Sequence, residues 1–482
     1  MHSKFYLSLL LISALVLFAF IAIATYNELA PEWKRYQTEY KDLLIKNATD
    51  EATRERAEKI EIGMQQIYLR DLKKADRCTS CHQGVENPLM TDAEIPFKKH
   101  SADYLENHPV AEFGCTVCHY GQGRAMNIKE AHGEEHAHWD FPIIPTKYIQ
   151  STCAQCHDFE MLKQEGGENV AKGEALFREK GCMGCHKLNG VGGDLGKTLD
   201  GLGSKARAYF PMKYVVGDRT IYNWIRQHFD DPRKIVSESE MRSFLTEEEA
   251  DFLTTYVLTF RSEQMPRNYT LIKNIVIPKT DGESLYKMYC VACHAEGKYS
   301  VYDEIFKRTI PAIMNPAFLR TIDDSHIKKI VKEGRTGTHM TAWKVDAAGL
   351  TDEEINKIIN YITMNRPEEK PEPFGFSGFK NDPKHGEELY KVRCALCHGE
   401  DGKGGERLLG INLRSKDDDP EFVALTVREG REGTPMVPFG KKGVGLEDQD
   451  IVDIVAYVRT LSLSQREWTS EKKRGEEKDG RM

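Results

Sequence analysis

The chain opens on its longest apolar run. From Phe5 to Tyr26, FYLSLLLISALVLFAFIAIATY contains no charged residue, and Lys4 stands just before it. That is long enough to cross a bilayer, whereas the apolar region of a secretory signal usually covers about 7–15 residues. Ala22-Ile23-Ala24 would serve as a cleavage site in the second reading. We expect residues 1–26 to be a membrane anchor, with Lys4 and the free amine favouring the N-terminus inside and the remainder outside. Residues 27–76 are charged, and PEWKRYQTEYKDLLIK and ATDEATRERAEKI read as helices, with Pro31 suited to a helix start. Their charge pattern predicts a solvated stalk, with contact to a partner subunit as the alternative.

Farther along, one pattern comes three times. A short amphipathic helix opens each copy (GEALFREK, GESLYKMY, GEELYKVR), with the apolar pairs Leu176/Phe177, Leu285/Tyr286 and Leu389/Tyr390 at one offset. Another closes it: LTEEEADFLTTYVLTF, LTDEEINKIINYITMN and LEDQDIVDIVAYVRTL. Thr246 with Glu249, and Thr351 with Glu354, have capping-box spacing, while the third copy has Glu447 in place of Thr. The linkers RSEQMPRNYTLIKNIVIPKTD and NRPEEKPEPFGFSGFKNDPK separate the copies, and residues 465–482 read as a disordered tail.

Cysteine placement supplies the chemistry. All 12 Cys fall into six Cys-x-x-Cys pairs: Cys78/Cys81, Cys115/Cys118, Cys153/Cys156, Cys182/Cys185, Cys290/Cys293 and Cys394/Cys397. Each pair is followed at once by a histidine: His82, His119, His157, His186, His294 and His398. A redox dithiol does not require that His, and a zinc site would add its ligands at other spacings. Covalent haem needs this order, two thiols for thioether links and an imidazole for one face of the iron. The expectation is six covalently bound haem c groups. Haem attachment of this kind takes place outside the bacterial cytosol, which agrees with the anchor and places the haem domains on the periplasmic side of the inner membrane as a single-pass protein. A net charge of −8 argues against a nucleic-acid partner.

The first four motifs follow one another at intervals of roughly 30–40 residues, too short for separate apolar cores, so residues 77–165 should form one trihaem segment with little regular structure. The last three motifs have enough chain for separate small domains, at 166–263, 280–366 and 382–464. The second axial ligand decides between carrier and catalyst. GRTGTHMTAW places Met340, and GREGTPMVPF places Met436, in one shared frame; Met241 in IVSESEMRSF takes the corresponding place in the first copy without that frame. His228 and His339 compete by composition but less well by position. In the N-terminal segment His108, His132 and His138 are the preferred distal ligands, with His100 and His136 as substitutes and Met126 as a remote choice.

From about Asn169 to Ser462, helix, Cys-x-x-Cys-His, loop, Met and closing helix together resemble three tandem class I cytochrome c domains. The resemblance implies three small all-α cytochrome c domains that transfer electrons; with the transmembrane helix, the stalk and the trihaem segment, the whole chain is expected to be mainly α. That family usually has Gly-Pro-x-Leu after the haem loop, with the Pro carbonyl orienting the proximal His. Only Pro311 keeps the proline; the other copies have Gly196-Lys197-Thr198-Leu199 and Gly410-Ile411-Asn412-Leu413, which puts that control in doubt for two haems. HPVAEFGCTVCHYGQGRA with AHG and HW is similar to membrane-anchored multihaem cytochromes that accompany quinol-oxidising cytochrome b complexes. The expected function is relay of electrons from cytochrome b-type subunits to a periplasmic or extracellular redox acceptor, as an electron-transfer protein or subunit of an oxidoreductase complex and not a stand-alone enzyme. The alternative is a multihaem peroxidase or oxyanion reductase with one open iron, best placed at the Cys182/Cys185 haem.

Overall fold

The computed structural model describes residues 2–29, 31–101, 103–133, 139–263, 265–266, 269–270, 281–404, 410–415 and 418–462. The chain divides into two units. The first takes residues 1–168, 205–227 and 263–272, and the second takes residues 169–204, 228–262 and 273–482. Among the described residues helix outweighs strand in both. Among the described residues strands form only three antiparallel ribbons: Ile67–Leu69 with Lys74–Asp76, Lys187–Leu188 with Val191–Gly192, and Val301–Asp303 with Arg308–Ile310.

In the first unit the apolar stretch Lys4–Tyr26 lies on the helix His2–Leu29 and has the length and composition of a membrane span. The segment after it is not a free stalk. Helix Glu32–Asn47 buries Trp33, Gln37, Tyr40 and Leu44, a stripe at helical spacing that its many charges obscure in sequence. Gln37 is fully buried and satisfied: its Nε2 donates to Gly63 O (2.9 Å) and Ser80 O (3.0 Å), and its Oε1 accepts from Gly63 N–H (2.9 Å). Ser80 lies inside the first Cys-x-x-Cys, so this helix braces that motif's turn. Asn87 Nδ2 also donates to Tyr40 OH at 2.9 Å.

The expected domain 166–263 is interrupted, because residues 205–227 belong to the first unit. There Arg207 N–H donates to Asp140 Oδ1 (2.8 Å), Tyr222 OH donates to Pro142 O (3.0 Å), and Phe210 packs on Trp224 with ring centres 4.9 Å apart. These contacts hold residues 205–227 within the first unit.

The second unit holds the repeated helix pairs. The opening helices are Glu168–Glu179, Gly282–Tyr289 and Pro383–Arg393, and the closing helices are Glu247–Val257, Asp352–Thr363 and Asp448–Thr460. Thr246 and Thr351 close full capping boxes, with Oγ1 accepting from the Glu249 and Glu354 N–H groups (both 3.2 Å) and each glutamate accepting back (both 2.9 Å). At the third closing helix, Glu447 N–H donates to Asp450 Oδ2 at 3.0 Å. The glycine of the repeated Gly-Glu pair is what lets the two helices cross. A Cβ at Gly173, Gly282 or Gly386 would stand 2.2, 2.1 or 1.9 Å from a carbonyl oxygen of the closing helix, those of Phe252, Lys357 and Asp453 respectively. Gly282→Ala should therefore force the pair apart at a cost of about 1–3 kcal/mol. Hydrogen–deuterium exchange should then accelerate in Gly282–Tyr289 and Asp352–Thr363 and not in the third copy; unchanged protection in both helices would contradict the close crossing.

Candidate functional site

Each motif folds as a single helical turn. The histidine N–H donates to the carbonyl of the first cysteine in all six: His82 to Cys78 (2.9 Å), His119 to Cys115 (2.9 Å), His157 to Cys153 (3.0 Å), His186 to Cys182 (3.1 Å), His294 to Cys290 (2.9 Å) and His398 to Cys394 (3.0 Å). Positions i, i+3 and i+4 share one face of such a turn, so two thiols and one imidazole present together. None of the 12 cysteines forms a disulfide.

The imidazoles are aimed from behind. His186 Nδ1 lies 2.7 Å from Lys197 O, His294 Nδ1 3.4 Å from Pro311 O, and His398 Nδ1 2.9 Å from Ile411 O. A ring that gives its Nδ1–H to a carbonyl keeps Nε2 as the free lone pair for a metal. The doubt raised by the missing prolines is thus removed: the acceptor is a backbone carbonyl, and Lys197 and Ile411 supply it as Pro311 does. The preceding glycines matter more, since a Cβ at Gly196 would stand 2.3 Å from the His186 ring and one at Gly410 would stand 2.1 Å from Cys397 O. Burial lowers the pKa of all six motif histidines below the ordinary histidine value, which keeps them neutral and able to ligate at pH 7.

The first unit pairs its histidines. Ring centres stand 6.3 Å apart for His82 and His132, 6.2 Å for His100 and His119, and 5.8 Å for His108 and His157. Two imidazoles on opposite sides of one metal, at about 2 Å per metal–nitrogen bond and with each nitrogen roughly 1 Å from its ring centre, hold those centres about 6 Å apart. The three spacings fit an iron between each pair. His108 and His132 are brought to motif histidines; so is His100, which ranked only as a substitute. His138 and His136 lie outside the described residues. His108 is itself oriented, with Nδ1 2.9 Å from Tyr104 O.

In the second unit the Gly-Arg-x-Gly-Thr-x-Met frame proves to be a closed loop. Arg335 and Arg431 N–H donate to the carbonyls of Met340 (2.9 Å) and Met436 (2.7 Å). Thr338 and Thr434 hydroxyls donate to the arginine carbonyls (both 2.7 Å) and accept from the methionine N–H groups (3.1 and 3.2 Å). Met340 and His294 line one apolar pocket together with Cys290, Cys293 and Pro311. His339 stacks on Phe306, ring centres 4.3 Å apart. Met436 packs on the core of the third copy. In the first copy His228, on helix Ile221–Asp230, is held near pKa 4 by burial and by the neighbouring His186. Met241, expected in that place, is half-buried beside Arg242, with its N–H on Ser239 Oγ (3.2 Å). Paired imidazoles, carbonyl-steered Nε2 atoms and apolar pockets suit haem.

Copies two and three are joined reciprocally. Asn315 Nδ2 donates to Glu432 O (3.0 Å), and Asn412 Nδ2 donates to Gly337 O (3.1 Å), so each copy binds the other's Gly-Arg loop. Arg335 pairs with Asp418, and Arg431 lies over Phe318 (5.0 Å) and Phe422 (5.5 Å).

Sequence reasoning missed Asp76. It is fully buried and accepts from Cys78 N–H (3.0 Å), Cys115 N–H (2.8 Å) and Thr116 N–H (2.8 Å), tying two attachment turns together. Burial by itself would raise its pKa, but the N–H donors of Thr116, Cys78 and Cys115 outweigh it and hold the carboxyl below its ordinary value. The only advance signal was an acid two residues ahead of a motif.

Residues 278–362 and 381–458 match the family model of cytochrome c oxidase, cbb3-type, subunit III, and residues 170–261 match that of cytochrome c. Curated relatives include the cbb3-type cytochrome c oxidase subunit FixP of Bradyrhizobium diazoefficiens, 24% identical over 200 residues, which is 39% of this chain and 62% of the relative. FixP of Azorhizobium caulinodans is 34% identical over 86 residues, 17% of this chain and 28% of the relative. The match spans less than two thirds of either relative. Similar solved structures include the reducing HAO-like protein complex of Kuenenia stuttgartiensis (TM-score 0.28, 21% identity, 38% of this chain and 96% of that one). Thiosulfate dehydrogenase from Marichromatium purpuratum is another (TM-score 0.21, 16% identity, 49% and 60%). The second unit therefore holds cytochrome c domains, which bind haem c covalently and transfer electrons.

Asp76→Asn should weaken three charge-assisted hydrogen bonds and destabilise the first unit by about 3 kcal/mol. Because the carboxyl is held below its usual value of about 4, its contribution is complete above that pH and is lost as pH falls through the depressed value. Exchange at Cys78–His82 and Cys115–His119 should rise in the variant at neutral pH, and acidification should do the same to the parent protein. Parental protection in the Asp76→Asn variant would exclude the clamp.

Proposed function

We propose that this c-type cytochrome is a membrane-anchored, periplasmic hexahaem relay that accepts electrons from cytochrome b-type quinol-oxidising subunits and passes them to a periplasmic or extracellular redox acceptor. Haem c supplies one-electron exchange between ferric and ferrous iron. Cys78/Cys81 to Cys394/Cys397 would hold six such groups, each with its motif histidine on one face. His132, His100 and His108 would ligate opposite His82, His119 and His157; His228 opposite His186; Met340 and Met436 opposite His294 and His398. His228 replaces Met241 in this assignment because it is the side chain that faces His186. The observation that carries the reading is the trio of paired histidine rings at 5.8–6.3 Å, a spacing that would fill both faces of three irons and leave no place for substrate.

Thioether ligation raises potential relative to paired imidazoles. The first unit would thus receive electrons at lower potential, and the second and third copies would pass them outward. The helix Lys4–Tyr26 suits the anchor. The alternative of a peroxidase or oxyanion reductase needs an open iron, and its best location, beside His186, has His228 facing it.

Near-infrared magnetic circular dichroism of the oxidised protein, calibrated against its covalent haem count, should give four bis-histidine haems to two with the sulfur-to-iron band. Three sulfur-ligated haems would restore Met241. High-spin iron or rapid carbon monoxide binding in the resting protein would sink the closed-relay reading in favour of the enzyme.

A further inference from the structure

Two attachment turns of the second unit, belonging to different copies, pack directly on each other. A Cβ on Gly184 would stand 2.8 Å from Tyr289 O and 3.4 Å from Ala292 Cβ. One on Gly181 would stand 2.7 Å from Val291 Cγ1 and 2.9 Å from Ala292 N. Gly181 and Gly184 flank and occupy the first copy's Cys-Met-Gly-Cys; Val291 and Ala292 are the two central residues of the second copy's Cys-Val-Ala-Cys. The orientation is fixed from a second side, where Gly192 N–H donates to Ala348 O (2.9 Å) and Lys187 Nζ to Ala347 O (3.0 Å).

One cation sits in the seam. Arg242 donates to Ala292 O (3.2 Å), pairs with the buried Asp303, and lies over Phe306 at 5.2 Å. The third copy supplies the contrast. Its residue equivalent to Gly184 is Leu396, which is 75% exposed.

We propose that Gly181 and Gly184 build a motif-on-motif junction that sets the haem of Cys182/Cys185 edge to edge with the haem of Cys290/Cys293, and that Arg242 is its positioning residue. This rests on covalent haem at both motifs. Each motif would be bonded to the periphery of its own porphyrin, so two attachment turns packed on each other bring the two peripheries together. Electron tunnelling falls steeply with the gap between edges, and this junction makes the gap minimal. One electron crossing it oxidises one ferrous iron and reduces one ferric iron, with no proton moved. The buried Arg242–Asp303 pair is close to neutral as a whole; without the Arg242 charge the Asp303 carboxylate would stand unbalanced in the seam, favour the ferric form on both sides and lower both potentials.

The test uses the full-length, detergent-extracted protein with Gly184→Val and, as control, Leu396→Val at the equivalent exposed position. Intact mass and haem-peptide mapping first establish which motifs carry haem. Loss of haem from either motif in the parent protein would overturn the functional reading itself, independently of the junction. With both haems present, electron paramagnetic resonance of the oxidised parent and of Leu396→Val should show the broadening of two magnetically interacting low-spin irons, and Gly184→Val should lose it. Equal spectra in parent and Gly184→Val would overturn the junction. Should Gly184→Val fail to fold, Arg242→Gln tests the same seam by potentiometry: the midpoints of both haems should fall together. A shift in one alone, or in neither, would overturn it.

Discussion

The interaction on which everything else depends is one hydrogen bond repeated six times, from the motif histidine's N–H to the first cysteine's carbonyl. It closes a single helical turn and thereby turns a linear spacing into a surface: two sulfurs and an imidazole on one face. Isolated turns of this length are not stable in water, so each must be braced from outside. In the second unit the opening helix runs straight into the turn, and the closing helix holds the opening helix through a glycine contact. In the first unit, with little helix to spare, Gln37 and Asp76 do the bracing by hydrogen bonds from buried side chains.

Polar groups take roles here that a reading of the core would assign to apolar ones. Asp76 ties two turns together, the paired asparagines Asn315 and Asn412 join the second and third copies, and Arg242 lies between the first and second. Each is buried or half-buried and each hydrogen-bonds to backbone, where geometry is strict. Such contacts orient domains more sharply than apolar packing does, because hydrogen bonds are directional and hydrophobic burial is not.

The helical class, the threefold repeat and the apolar span could be read directly, because they rest on periodicity and on residue types recurring at constant offsets. The stalk expectation failed against the burial of Trp33, Gln37, Tyr40 and Leu44, since charged neighbours on the same helix hid a narrow inward stripe. The proline argument failed because it attached a function to a side chain when the acting group was a carbonyl that every residue possesses. The interruption of residues 166–263 was unreadable for another reason: a few aromatic residues in 205–227 find partners far away in sequence.

By itself, then, the sequence determined how each Cys-x-x-Cys-His turn is built, since i, i+3 and i+4 are fixed by the local helical backbone. Only the tertiary structure decided which side chain faces each motif histidine. His100 faces His119 and His228 faces His186 across intervals that no local geometry controls. The same holds for the abutting turns of Gly184 and Ala292: whether two motifs touch depends on how separate helices dock, and that is settled by packing between distant segments.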